Sequence, residues 1–182
     1  MQFRPEDPER KKWQHPEEIF DTIGLLPGMS FVDVGCGDGY FALPAARRVG
    51  AAGKVYAVDI DRSAVERLRD TAVQSGLGNL VTEVKAAEEA IVCNGCADRV
   101  FFGIDLHDFS DPVQVIRNAK KMLSPTGLLI DLDWIDRETG IGPPLWKRFS
   151  AGKARLLIES AGFRIRSVSD AGPYHYLIVA GL

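Results

Sequence analysis

Cysteine is scarce in this chain, with three in 182 residues. An odd count without a secretory context argues against a disulfide framework, so Cys36, Cys93 and Cys96 are expected to be reduced thiols. Long apolar runs are missing too. Nothing approaches the ~20 residues that cross a bilayer, and the first seven residues, Met1, Gln2, Phe3, Arg4, Pro5, Glu6 and Asp7, are too charged for a signal peptide. The expectation is a soluble, cytoplasmic protein without a membrane partner. Neither charge sign dominates: a formal net charge of -3 creates no global field that would draw nucleic acid. One local exception stands out. Residues 147–166 carry Lys147, Arg148, Lys153, Arg155, Arg164 and Arg166 against Glu159 alone, which keeps a basic face open. No segment is repeated or of low complexity, which excludes a solenoid or array.

What is present is enough for one well-buried core. At 182 residues and 46% hydrophobic content, one domain is expected, with residues 1–24 as a leader and short helix and residues 25–182 as the body. Short apolar runs alternate with helical patterns. Pro16 followed by Glu17 and Glu18 predicts a helix that Gly24 stops. Strands are expected at residues 30–34, 55–58, 81–85, 99–104 and 128–134, the last after a turn formed by Ser124, Pro125, Thr126 and Gly127. Helices are expected at residues 40–49, after the cap Asp61, after Asp111 and Pro112, and after the cap Ser150. Two closing strands, residues 163–169 and 174–180, complete an α/β pattern. It predicts a seven-stranded, mainly parallel sheet with one antiparallel strand in a C-terminal hairpin near its edge.

The most informative stretch is Phe31, Val32, Asp33, Val34, Gly35, Cys36, Gly37, Asp38, Gly39 and Tyr40: a buried-strand pattern running into alternating glycines. Glycines at such spacing allow positive φ and close approach of a ligand to the backbone. The dinucleotide fingerprint G-x-G-x-x-G places a sixth-position glycine beside a pyrophosphate. Here that position is Tyr40, which lowers the case for NAD or FAD. Asp59, at the end of the second strand, can accept hydrogen bonds from two ribose hydroxyls; the competing reading is a solvated strand-end or helix-cap carboxylate. Asp33, flanked by Val32 and Val34, is costly to bury unless it meets donors, either loop N-H groups or a ligand's ammonium.

In this order the sequence resembles the class I S-adenosylmethionine-dependent methyltransferases over roughly residues 25–182. The resemblance rests on the glycine loop at residues 32–39, the strand at 55–59 that ends in Asp59, and Ala86, Ala87 and Glu88. It also rests on the strand at 101–105 and on the turn at 123–129, where Thr126 stands in place of a glycine. It implies a Rossmann-like three-layer sandwich with a short N-terminal helical lid. It also implies S-adenosyl-L-methionine as cofactor, leaving as S-adenosyl-L-homocysteine, and no metal. By the same resemblance the cofactor meets Asp33, Gly35, Cys36, Gly37, Gly39, Tyr40, Asp59 and Ile60. Ala87 and Glu88 would lie beside the adenine, and Ile104 and Asp105 would border the methionine part.

His107 follows the fourth strand closely and would overlook the methyl group. An imidazole there can accept a proton from an attacking hydroxyl, thiol or amine, or it can be a loop histidine bonded to backbone or water. Trp13, Trp134 and Tyr174, with Pro143, Pro144, Leu145 and Trp146, are candidates to wall an apolar acceptor pocket; the alternative is core packing or a dimer contact. Strand alternation puts His175 on the face opposite Tyr174 and Tyr176. Asp105, Leu106, His107 and Asp108 stand where many amide and base N-methyltransferases carry Asn/Asp-Pro-Pro-Tyr, which weighs against those substrates.

The expected reaction is methyl transfer to a small-molecule acceptor, by a monomer or homodimer. An RNA or protein acceptor on the basic face, and a cofactor-binding module without catalysis, are the alternatives. An arsenite methyltransferase-like activity is a minor option, because Cys93 and Cys96 with Cys36 do not reproduce a spread of thiolate ligands.

Overall fold

A computed structural model of the chain describes residues 10–182; the leader at residues 1–9 lies outside the described residues. Seven strands form one sheet: β1 (Ser30–Val34), β2 (Lys54–Asp59), β3 (Leu80–Val84), β4 (Ala97–Gly103), β5 (Leu123–Trp134), β6 (Arg164–Ala171) and β7 (His175–Gly181). Their spatial order is β3-β2-β1-β4-β5-β7-β6. Strands β1 to β5 pair in parallel, and β7 runs antiparallel to both β5 and β6. The single antiparallel strand is therefore second from the edge, with β6 outside it.

Five helices flank the sheet: α1 (Pro16–Thr22), α2 (Ala42–Val49), α3 (Arg62–Gln74), α4 (Pro112–Met122) and α5 (Ala151–Ser160). Strand alternation divides the core between two faces. Phe31, Phe101, Ile130 and Leu132 pack with Phe20 of α1, Ala45 of α2 and Leu68 of α3. Val32, Phe102, Leu129 and Ile178 pack with Ile116 of α4 and Ile158 of α5. Helix α3 illustrates how local chemistry and burial agree. Asp61 caps it by accepting from the N-H groups of Ser63 and Ala64, and Ala64, Val65, Leu68 and Ala72 form its buried stripe.

The structure corrects two sequence expectations. Residues 124–127 do not separate α4 from a later strand; β5 begins at Leu123, and its pairing with β4 shifts between Ala97 and Arg99, so the turn residues are absorbed as an irregularity of the ladder. Gly127 permits this, because a Cβ there would lie 2.5 Å from the Ala97 carbonyl oxygen. Cys93 and Cys96, expected as separate thiols, are joined in a disulfide. The turn between them, with Gly95 at φ 61°, brings their Cα atoms to 6.0 Å, within bonding range.

Two arginines tie loop segments down at opposite ends of the strands. Arg99 of β4 donates to the carbonyls of Ile23 and Gly24 at 2.7 and 2.8 Å, tying the end of α1 to the sheet. Arg148 sits inside the loop that follows β5. Its guanidinium donates to the carbonyls of Pro143 (2.8 Å), Ile135 (3.0 Å), Arg137 (2.9 Å) and Ile141 (2.8 Å), and to Thr139 Oγ1 (3.0 Å). A planar fork with five donors is matched to five acceptors, which is why a Gly/Pro-rich segment holds one shape. Arg148→Met removes every one of those bonds while keeping the stem's bulk. The expected loss is about 2–4 kcal/mol in urea unfolding, with the Arg148→Lys variant recovering little of it.

Candidate active site

Neighbouring strand order reverses between β1 and β4, since β1 connects outward to β2 and β3 while β4 connects outward to β5. A crevice opens at the carboxyl ends of strands where that happens. A cavity of ≈ 360 Å³ occupies it, bounded by the glycine loop, Arg10, Asp33, Asp59, Asp105, His107, Trp134 and Pro143. A second cavity of ≈ 250 Å³, bounded by Ile60, Ala87, Glu88 and Phe109, shares Gly35, Asp59, Asp105 and Asp108 with the first.

The glycine loop leaves β1 with Gly35 and Cys36 donating to the Val58 carbonyl at 2.8 and 3.0 Å. Gly35 is at φ 82°, and a Cβ there would come within 2.7 Å of the Asp105 carboxyl. At Gly39 it would come within 2.3 Å of Leu68, so helix α3 packs directly on the loop. Asp59 is drawn into this scaffold: Oδ2 accepts from Gly37 N and Oδ1 from Asp61 N, both at 2.8 Å. Each carboxylate oxygen retains a lone pair for a ligand.

Two of the aspartates that line the larger cavity, Asp33 and Asp105, are deeply buried. Asp33 is 1% exposed, and its Oδ2 has no hydrogen-bond partner. Burial, with a contribution from Asp59, pushes its carboxyl up to about 7. Asp105 Oδ2 is also buried without a partner, and burial followed by the charges of Asp33, Asp59 and Asp133 raises it well above the carboxylate range. Its position comes from strain: Ile104, a β-branched residue, is held at φ 76° while its N-H donates to the Leu132 carbonyl at 2.7 Å. The buried thiol of Cys36 lies between these carboxylates and is raised well above its ordinary value, first by burial and then by Asp33. That makes it a poor nucleophile.

Tyr40, which replaces the sixth-position glycine, anchors the chain before α1. Its hydroxyl donates to the Gln14 carbonyl, and the Arg10 guanidinium lies 3.7 Å from its ring centroid. Arg10, at 8% exposure, is the cation set deepest among those around the larger cavity. Helix α1 itself packs on α2, where Arg48 bonds Glu17 and Asp21, so the part that reaches the cavity is the turn at Arg10.

On the opposite wall His107 is held by Asp133 of β5. Nδ1 lies 2.7 Å from Asp133 Oδ1 and 2.9 Å from Oδ2. Trp134 lines the cavity, whereas Trp13 and Tyr174 stand behind it at centroid distances of 5.6 and 6.5 Å. His175 stacks on Trp13 at 5.3 Å, and burial, then Arg10 and Arg148, lower it to about 3, so it remains a neutral part of the aromatic cluster. Trp146 does not wall the pocket; it is 82% exposed. Glu88 reaches the smaller cavity, but its Oε1 accepts from the N-H groups of Ser110 and Asp111.

Sequence inspection missed Asp131 and Asp133, and took Arg10 only as part of a charged leader that could fold over the cofactor. A signal for the two carboxylates exists: acids at alternate positions within the apolar run of residues 128–134 place both on one buried face. Arg10 has no such signal, because nothing local to it marks the cavity.

Residues 25–139 match the family model described as a methyltransferase domain. The chain belongs to the class I S-adenosylmethionine-dependent methyltransferase family. It is similar to a solved S-adenosylmethionine-dependent methyltransferase from Aquifex aeolicus, with 28% identity, a TM-score of 0.92 and 98% coverage of both chains. It is 28% identical over 138 residues to nocamycin O-methyltransferase of Saccharothrix syringae, covering 76% of this chain and 47% of the relative. A ubiquinone/menaquinone biosynthesis C-methyltransferase of Hahella chejuensis is 30% identical over 115 residues, covering 63% and 46%. The chain spans about half the length of these two curated relatives.

The cavity fits the family's cofactor. S-adenosylmethionine carries a sulfonium and an ammonium, and Asp33 and Asp105 present buried carboxyl oxygens without protein partners. A proton linkage follows. Cation binding favours the ionised form of Asp33, so a group that titrates at about 7 in the ligand-free protein loses its proton on binding. Calorimetric affinity for S-adenosylmethionine should climb as pH rises from about 5.5 to about 8, by up to about tenfold per unit below 7. Asp33→Asn should weaken binding and flatten that slope; an unchanged slope would remove Asp33 from the cation site. Gly35→Ala should reduce affinity at least about tenfold, because the added methyl must displace Asp105.

Proposed function

We propose that this chain transfers the methyl group of S-adenosylmethionine to a small-molecule acceptor by in-line displacement. The observation that carries this reading is that one cavity brings two sets of side chains together. Asp33, Asp59 and Asp105 form the cofactor side, while His107, Trp134 and Pro143 form the acceptor side. In this reading Asp59 takes the ribose hydroxyls, Asp33 and Asp105 face the cationic methionine part, and Ile60 and Ala87 border the adenine in the adjoining cavity. A sulfonium methyl is already activated, so holding the acceptor at ~3 to 3.5 Å in line with it supplies much of the rate enhancement.

A small acceptor is favoured by the scale of the cavity and by the two curated relatives, an O-methyltransferase and a biosynthetic C-methyltransferase. The basic run at residues 147–166 gives little support to an RNA acceptor. Arg148 is internal to its loop, Lys147 bonds Asp108 at 2.6 Å, Arg155 bonds Glu159 at 3.1 Å, and Lys153 lies over the Phe149 ring. An arsenite-like reading loses its thiolates, since Cys93 and Cys96 are joined at the entry to β4, the end of that strand away from the cavity.

Incubation with tritiated S-adenosylmethionine and a fractionated cell extract tests the proposal. Label is expected in the small-molecule fraction, with transfer little affected by moderate salt. Label confined to RNA or protein, or tight cofactor binding with no transfer at all, would overturn it. Trp134→Ala should raise the acceptor KM at least about tenfold while leaving cofactor affinity within about twofold.

A further inference from the structure

His107 and Asp133 are brought together from separate strands' ends by the parallel pairing of β4 and β5. Asp133 is fully buried, and among the described residues it accepts from nitrogen donors: Trp134 N at 2.7 Å, His107 N at 3.3 Å and His107 Nδ1 at 2.7 Å. A carboxylate in that position requires the imidazole proton to sit on Nδ1. The other ring nitrogen, Nε2, is then a lone-pair acceptor. It stands 3.6 Å from Asp108 Oδ1, beyond hydrogen-bond range, and Asp108 is itself bonded to Lys147 at 2.6 Å. His107 lines the cavity on its acceptor side, with its side chain only 2% exposed. A loop histidine serving only local structure would satisfy both nitrogens from backbone or water. This one is oriented by a buried acid through one nitrogen and belongs to the cavity lining.

We propose that Asp133 is a positioning residue that fixes His107 as a proton acceptor, and that the acceptor substrate carries a nucleophile that loses a proton on methylation, assigned here to a phenolic or enolic hydroxyl. This rests on the methyl-transfer reading above. The balance is simple. The hydroxyl O-H bond breaks and its proton moves to Nε2; the oxygen forms a bond to the methyl carbon as the carbon-sulfur bond breaks, and that electron pair stays on sulfur. The imidazolium so formed lies against Asp133 and later returns its proton to water. A thioether or tertiary amine acceptor releases no proton and would leave the dyad without work. Phenols and enols are the hydroxyls acidic enough for an imidazole to deprotonate near neutral pH.

The test has three arms on the full chain. Nitrogen-15 NMR reads the tautomer directly, and only His15, His107 and His175 need assigning. The His107 signal should show Nδ1 protonated in the wild type and shift toward Nε2 protonation in Asp133→Asn; an Nε2-protonated wild type would overturn the positioning role. Transfer from tritiated S-adenosylmethionine is then measured on catechol, 4-nitrophenol and acetylacetone, alongside aniline and a simple thiol. Label is expected on the hydroxyl compounds. His107→Gln should lower catechol methylation about 10²-fold or more, with a smaller loss on the largely ionised 4-nitrophenol. Transfer confined to the amine or the thiol, or equal losses on the two phenols, would overturn the acceptor class. Calorimetry with S-adenosylmethionine alone separates this proposal from the broader one: the His107 variant should bind it within about twofold of wild type. Wild-type protein that binds none would sink the methyl-transfer reading and leave the tautomer result standing.

Discussion

A carboxyl buried at the end of a central strand is the constraint around which this protein is arranged. Asp33 sits in register with Ala57 of β2 and Phe101 of β4, in the middle of the sheet, where an unpaired charge is costly. Among the described residues its Oδ2 finds no partner, so the fold holds an acid whose ionisation awaits a cation. The surrounding structure keeps that state available. Glycines at 35 and 39 let Asp105 and Leu68 close in on the loop, Asp59 is held by loop amides, and Arg10 over Tyr40 partly offsets the accumulated negative charge.

The opposite wall follows different physics. Its rigidity comes from hydrogen bonds that gather a loop around one guanidinium. Arg148 fixes the path of residues 135–147, and Gly142 lies so close to Trp134 that a Cβ would come within 2.8 Å of the ring. Trp134 is further backed by Trp13 and His175, an apolar cluster in which the histidine stays neutral. Buried carboxyls and an aromatic cluster therefore border one cavity, linked by the segment at residues 10–14 that bonds Tyr40 and packs Trp13 on Trp134. Such a division suits a reaction in which a charged donor meets a less polar acceptor, with charge lost as the methyl moves.

Much of this could be read from local patterns, for identifiable reasons. The strand at residues 30–34, the caps Asp61, Asp111 and Ser150, and the glycine loop are each encoded within a few residues, and the structure places them as expected. The turn anticipated at residues 124–127 failed because Pro and Gly mark both turns and ladder irregularities, and only the pairing of β4 with β5 distinguishes them. Cys93 and Cys96 were misjudged because their pairing depends on how one turn closes.

The sequence by itself determined the order of the elements, the sharp loop after β1 and the acidic ends of β1 and β2, because hydrophobic periodicity and glycine placement act over short spans. Tertiary structure alone decided that β7 inserts between β5 and β6, that Arg10 reaches the cavity, and that His107 meets Asp133 across 26 residues of chain. Those outcomes depend on which strands become neighbours and on what burial does to the charges they carry. Long-range pairing settles both, and no local pattern records it.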